Sequence, residues 1–199
     1  MFKHEFDTDD VIIINKEMLH NGFLNVSKYT FKHKLFKGGW GNPVDRELLE
    51  RGNACSLLAY DPITDEVVLI EQFRVGAIES VQPWQLEIIA GMIDDGETPE
   101  NTVIREAVEE AGIHVENIRH IFHYYPSVGG CSETMDIFIG QVNSNTAKGL
   151  HGLESENEDI KVHVVTRETA LEMVNSGIIK NGATIMALLW LENNRNKLY

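Results

Sequence analysis

Between Gly91 and Ile113 the chain changes its hydrophobic period, and that change constrains the fold more than any other feature. Upstream, Ala54–Tyr60 and Glu66–Phe73 are apolar runs flanking Asp61-Pro62-Ile63-Thr64-Asp65, which reads as a hairpin. A further strand, Trp84–Ala90, runs into Gly91. Then Thr98-Pro99 opens a helix, because Thr caps an N-terminus and Pro suits the first helical position. Gly112 stops it. At about 100° per residue, Val103, Ile104, Ala107, Val108 and Ala111 fall within an arc of roughly 140°, a stripe expected to face the core. Strand-like runs return at Ile118–Tyr125, Met135–Val142 and Ile160–Val165, and helical patterns close the chain at Arg167–Ser176 and Ala183–Asn193. Mixed strands interrupted by a few helices predict an α+β sandwich. Ahead of it, Tyr29, Phe31, His33 and Leu35 alternate with Lys28, Thr30, Lys32 and Lys34 within Phe23–Phe36. That predicts an N-terminal strand extension, half-buried and basic outside, ended by Gly38-Gly39. His33 and His163 are expected to be packing residues in strands.

Charge narrows the partners. With 31 Asp+Glu against 17 Lys+Arg, the net charge of −14 disfavours a nucleic-acid backbone or an anionic membrane. No apolar stretch approaches a bilayer span, and Met1 to Asp10, with five charged residues, does not read as a signal peptide. Two cysteines, Cys55 and Cys131, cannot make a disulfide framework, so a reducing, cytoplasmic setting is expected. The charge is also uneven. Residues 87–110 hold eight acids and one arginine, whereas Lys28, Lys32, Lys34, Lys37 and Arg46 oppose only Asp45 between residues 24 and 46. An anionic ligand is repelled by the first region until cations fill it and attracted by the second.

On the helix, Glu106, Glu109 and Glu110 share an arc of about 100°. Carboxylates one turn apart repel by a few tenths of a kcal/mol per pair. Two readings stand for them: a solvated acidic face, or a divalent-cation site. Oxygen ligands without a His or Cys companion favour Mg²⁺, with Mn²⁺ possible, over Zn²⁺. No pair among the eight histidines has zinc spacing. Residues Asn143–Asp159 form a polar, glycine-containing stretch of seventeen residues without clear periodicity, carrying Glu154, Glu156, Glu158 and Asp159. A connection that long is either a lid or catalytic loop, or a plain surface loop.

The fixed positions Gly91, Glu97, Arg105-Glu106, Glu109-Glu110, Gly112 and Ile113 together resemble the signature of the Nudix hydrolases, with Ala107 small where a larger apolar residue is common. The resemblance implies a metal-dependent hydrolase with an α/β/α sandwich and a mixed sheet. It implies Glu106, Glu110 and the Ala90 carbonyl as metal ligands, joined by Glu109 when more than one ion binds, and a Glu97–Arg105 brace of loop against helix. Beyond the box, Phe23, Arg46, Glu50-Arg51-Gly52, Val68–Arg74, Gly129–Glu133 and His151-Gly152-Leu153 resemble the bacterial ADP-ribose-hydrolysing branch of that family. By that resemblance Glu156 is the loop base and, with Glu109, a catalytic residue. The same resemblance implies Arg46 and Arg74 as substrate-binding arginines, the other reading being ordinary surface salt-bridge partners, and Phe23 as an aromatic near the adenine. Glu133 touches the terminal ribose or a metal, or is a solvent-exposed turn acid. Residues 1–50 would be a dimerisation and substrate-binding extension, exchanged between the subunits of a homodimer, and residues 51–199 the hydrolase domain. Val128 stands where that branch carries a proline sixteen residues past Gly112; the nearest proline is Pro126. A GDP-mannose or other nucleotide-sugar hydrolase is the alternative within the family, and a sensor that binds ADP-ribose without cutting it is the alternative outside catalysis.

Overall fold

The computed structural model describes residues 2–198; Met1 and Tyr199, which bound the two expected segments, lie outside the described residues. The chain divides into two compact units, Met1–Gly52 with Tyr125–Glu133, and Asn53–Tyr124 with Thr134–Tyr199.

The first unit is an antiparallel sheet of β1 (Val11–Asn21), β2 (Asn25–His33) and β3 (Val44–Glu50), in that order. The periodicity of Phe23–Phe36 points only to β2. β1 escapes it because its apolar run Val11–Ile14 gives way to Asn15-Lys16-Glu17 without alternation. β2 is half-buried as expected, but not on one face: Tyr29 and Phe31 are half-buried together with Lys28, Thr30 and Lys32, only Ser27 is fully buried, and His33 is exposed rather than packed. Neither apolar core contains a residue of this unit, so alternation here does not become burial. Polar bonding ties the strands instead. The Glu50 carboxylate accepts from Lys16 Nζ at 2.8 Å, Ser27 Oγ at 2.6 Å and Tyr29 Oη at 3.0 Å. Beside β3, Leu49 N donates to Gly130 O and Ser132 N donates to Leu49 O.

The second unit contains β4 (Ala54–Asp61), β5 (Glu66–Phe73), β6 (Trp84–Glu87), β7 (Ile89–Met92) and α1 (Pro99–Ala111). There follow β8 (Glu116–Tyr124), β9 (Met135–Gln141), β10 (Leu150–His151), β11 (Ile160–Thr166), α2 (Arg167–Asn175) and α3 (Gly182–Asn194). Its sheet runs β10-β11-β5-β4-β9-β8, with β6 on β5 and β7 on β4; β4 and β9 are parallel and the other pairs antiparallel. Every residue of β4 is buried because helices cover both faces. Cys55, Leu57 and Ala59 pack with Val103, Ala107 and Ala111 of α1. Leu58 and Tyr60 pack on the other face with Ala170 of α2 and Ala187, Leu188 and Leu191 of α3. This is the expected α/β/α sandwich with a mixed sheet.

Two local expectations need correction. The stripe on α1 is narrower than the wheel predicts: Ile104 and Val108 are 42% and 46% exposed, while Thr102 and Glu110 are buried. The helix approaches the sheet over its small residues Ala107 and Ala111, which rolls the larger aliphatics to the flank. The single strand expected over Trp84–Ala90 is two, β6 and β7. They part at Ile88, whose N–H donates to Thr184 Oγ1 at 3.0 Å instead of to a neighbouring strand. Among the described residues no helix is long and apolar enough to cross a membrane.

Candidate active site

Capping fixes the axis of α1. Thr98 Oγ1 accepts from Asn101 N at 3.2 Å, and Gly112 sits at φ 63°, where a side chain is strained. Gly112 N donates to Val108 O at 3.0 Å and Ile113 N to Ala107 O at 3.1 Å, closing the helix through the left-handed glycine. With both ends fixed, Glu106, Glu109 and Glu110 have defined directions.

Arg105 gathers the acids of the preceding loop and the helix. Its Nε and Nη2 donate to the two oxygens of Glu97, each at 3.1 Å, and its Nη1 donates to Glu106 and Glu109, each at 2.8 Å. Thr102 Oγ1 adds a bond to Glu97 at 2.7 Å. The Glu97 carboxyl is held down at about 2, first by its bond from Arg105 and then by that from Thr102, and the guanidinium is raised in turn.

Glu110 is different. It is 3% exposed, and its carboxylate accepts from Ala90 N at 3.0 Å and from Gln72 Nε2 at 3.4 Å. Burial pushes its carboxyl up to about 8, against the Ala90 N–H; the charges of Glu106 and Glu158 add to the rise, and Arg74 opposes it. Glu106 is pushed up to about 7, again by burial first, with Glu109 and Glu158 adding and Arg105 opposing. Gly91 of β7 makes room for this arrangement. A Cβ there would stand 1.8 Å from Glu106 Oε1, so the carboxylate lies in space that only glycine leaves open. Among the described residues no three His, Cys, Asp or Glu side chains are already gathered as a metal site, and Arg105 Nη1 holds one oxygen each of Glu106 and Glu109. The donor set nonetheless fits a hard divalent cation: the buried Glu110 and half-buried Glu106 carboxylates, both raised toward neutrality, in a cradle with no room for a side chain.

The long connection is partly ordered. β10 pairs with β11, and Gly152 N donates to Glu109 O at 3.2 Å, fastening the segment to the end of α1. Glu156 is exposed in a short 3-10 turn that ends at Asn157 with φ 55°. Glu158 is half-buried, and its carboxylate accepts from Leu153 N at 3.3 Å. Its charge is the one from this loop that reaches both Glu106 and Glu110.

Of the remaining residues picked from sequence, Arg74 follows β5 in this unit, and its Nε donates to Glu87 at 2.8 Å. Phe23, Arg46 and Glu133 belong to the first unit. Phe23 is 93% exposed between β1 and β2. Arg46 lies on β3 opposite Tyr29, with Nη1 on Asp45 O at 2.7 Å. Glu133 is buried, 3.5 Å from Arg51 Nε, so the reading of it as a solvent-exposed turn acid is corrected. Sequence reasoning missed Gln72, Glu87 and Thr102. Glu87 left a usable signal, an acid inside the otherwise apolar stretch Leu86–Ala90.

Comparison with known proteins agrees with this geometry. The NUDIX domain family matches residues 51–181. The chain is 47% identical to an ADP-ribose pyrophosphatase of Escherichia coli, over 97% of this chain and 93% of that protein. It is 46% identical to an ADP-ribose pyrophosphatase of Haemophilus influenzae, over 97% and 91%. A GDP-mannose pyrophosphatase of Shigella boydii is 33% identical over 94% and 97%. A crystal structure of an ADP compounds hydrolase superposes with a TM-score of 0.70 at 18% identity, covering 93% of this chain and 96% of that one, which speaks to the fold alone.

Proposed function

The chain belongs to the NUDIX family of hydrolases, and on that premise we propose that it hydrolyses the diphosphate of ADP-ribose to AMP and ribose 5-phosphate with Mg²⁺, or Mn²⁺ in its place. The observation that carries this reading is the carboxylate pair of α1, Glu110 buried and Glu106 half-buried in the space that Gly91 leaves, pushed up to about 8 and about 7 chiefly by burial. Glu106, Glu110, Glu109 and the Ala90 carbonyl would hold the metal. When bound, it neutralises the diphosphate and lowers the pKa of a coordinated water. Everything else falls to this chain. Arg105 and Glu97 hold the loop and the first turns of α1 in register. Arg74 offers a fork to the phosphate oxygens. Glu156, on the exposed turn of the loop, takes the proton of the attacking water as one phosphorus–oxygen bond forms and the bridging one breaks. A second reading gives that proton to Glu158, whose charge already reaches the two helix carboxylates.

ADP-ribose is preferred over GDP-mannose because the relatives that act on it are nearer in sequence, 47% against 33% identity. Phe23, Arg46 and Glu133 are assigned to the nucleoside and ribose, and residues 1–50 act as the extension that pairs two chains. The exposed Val11–Ile14, Met18 and Leu19 of β1 support a homodimer, and the free thiols Cys55 and Cys131 support a cytoplasmic setting. A Mg²⁺-dependent panel of ADP-ribose and GDP-mannose with product identification tests the reading. AMP as the dominant product upholds it, GMP as the dominant product moves the substrate, and tight ADP-ribose binding without AMP makes the protein a sensor.

A further inference from the structure

Arg74 is held by one edge only. Its Nε donates to Glu87 Oε2 at 2.8 Å, and among the described residues its Nη1 and Nη2 have no ion-pair partner. The side chain of Glu87 is 7% exposed and that of Arg74 42%. Glu87 is itself held: its Oε1 accepts from Asn181 Nδ2 at 2.9 Å. Asn181 caps α3 through its other atom, Oδ1, which accepts from Thr184 N and Oγ1, both at 3.0 Å. Thr184 Oγ1 in turn accepts from Ile88 N, next to Glu87. The chain Ile88–Thr184–Asn181–Glu87–Arg74 therefore has every link bonded and ends at a guanidinium whose outer face is open. A buried carboxylate has to be paired or hydrogen-bonded, and this one has both.

The geometry points to Glu87 as a positioning residue: it takes Arg74 by the Nε and turns the Nη fork toward the substrate's diphosphate, with Asn181 fixing Glu87 from the cap of α3. This rests on the reading of Arg74 as a phosphate-binding residue. Arginine presents five donors, and engaging Nε alone leaves four on the Nη nitrogens for an oxyanion. Holding the stem in place also removes rotamer freedom that substrate binding would otherwise have to quench. A pair that served only to tie β5 to β6 would act on stability and not on substrate.

The test is a double-mutant cycle read in KM and kcat for ADP-ribose with Mg²⁺. Glu87→Gln is expected to raise KM about tenfold with kcat changed less than about threefold, and to add nothing further in an Arg74→Ala background. Asn181→Asp keeps the acceptor that caps α3 but removes the donor to Glu87 and sets a second carboxylate against it; it is expected to raise KM about threefold and to lower the melting temperature, so KM is read well below that temperature, and it carries the test if Glu87→Gln does not fold. A Glu87→Gln effect of equal size with and without Arg74, or an Asn181→Asp protein with wild-type KM, overturns the inference. If the wild-type protein leaves ADP-ribose intact, the activity proposed above fails, and the same cycle read by calorimetry with inorganic pyrophosphate and Mg²⁺ decides the positioning role by the same criterion.

Discussion

Glu50 of the first unit and the pair Glu106 and Glu110 of the second are carboxylates whose surroundings shift them in opposite directions. Glu50 is held down at about 2, first by its bond from Lys16 and then by that from Ser27. Glu106 and Glu110 are pushed up to about 7 and about 8, chiefly by burial. The difference is burial first, Glu110 being 3% exposed and the Glu50 side chain 26%, and then the supply of fixed donors. Glu50 has an ammonium and two hydroxyls to itself. The single guanidinium beside Glu106 is divided among Glu97, Glu106 and Glu109, and Glu110 has only an amide N–H and a long bond from Gln72. A carboxylate satisfied from within the chain serves the fold. One left short of positive charge is where the proposed cation would sit.

The contrast breaks first in catalysis. Glu110→Gln removes a charge the fold does not need and the reaction does, so hydrolysis with saturating Mg²⁺ should fall by about 10³-fold or more, ~4 kcal/mol of barrier. Activity within about tenfold of wild type would show that Glu110 holds no metal. The loop gives the next largest effect. Loss of a general base is worth about 10²–10⁴-fold in kcat, with KM little changed. Glu156→Gln is expected to show that loss and Glu158→Gln a smaller one; the reverse order moves the base to Glu158. Gly91→Ala sharpens the contrast without touching a carboxylate. Its Cβ would displace Glu106, and the expected result is a higher Mg²⁺ requirement and about tenfold lower activity at limiting metal, with the helix content of the far-UV spectrum unchanged.

How much of this could be read in the sequence differs between the two units for a physical reason. In the second unit, burial follows local pattern. β4, β5 and β9 are apolar runs buried over most of their length, β11 opens on alternation with Ile160 and Val162 buried and Lys161 exposed, and α1 carries its own start and stop in Thr98-Pro99 and Gly112. The spacing of Glu106, Glu109 and Glu110 was equally local, and the resemblance of the surrounding box turned it into a site. What could not be read was decided at long range. The break between β6 and β7 depends on Thr184, 96 residues away, and Glu87 finds Asn181 94 residues away. In the first unit, among the described residues, no apolar core rewards alternation, so β1 leaves no pattern to read and the two faces of β2 are about equally half-buried where alternation predicts a difference. The burial of Thr102 and Glu110 in place of Ile104 and Val108 depends on the roll of α1, which a wheel leaves undetermined.

The smallest effect is on stability against pH in the metal-free protein, where the two regions should pull in opposite directions. Glu50 binds its proton less readily folded than unfolded, so between about 2 and its ordinary value of 4.5 the unfolded chain carries more protons. Its stabilisation is full above that window and is lost as the pH falls through it. Glu106 and Glu110 bind protons more readily folded, so from 4.5 up to about 7 and about 8 the native state carries more. Their contribution is favourable below the window and is lost as the pH rises. The melting temperature in a chelator should therefore fall on both sides of a maximum near the shared boundary. Glu50→Gln should flatten the acid side and lower the whole curve by about 1–2 kcal/mol through its lost bonds. Glu110→Gln should flatten the neutral side, as should Mg²⁺ added to the wild type, because a bound cation favours the ionised carboxylates. A neutral side that stays equally steep in Glu110→Gln would place the unsatisfied charge elsewhere and remove the observation on which the metal site rests.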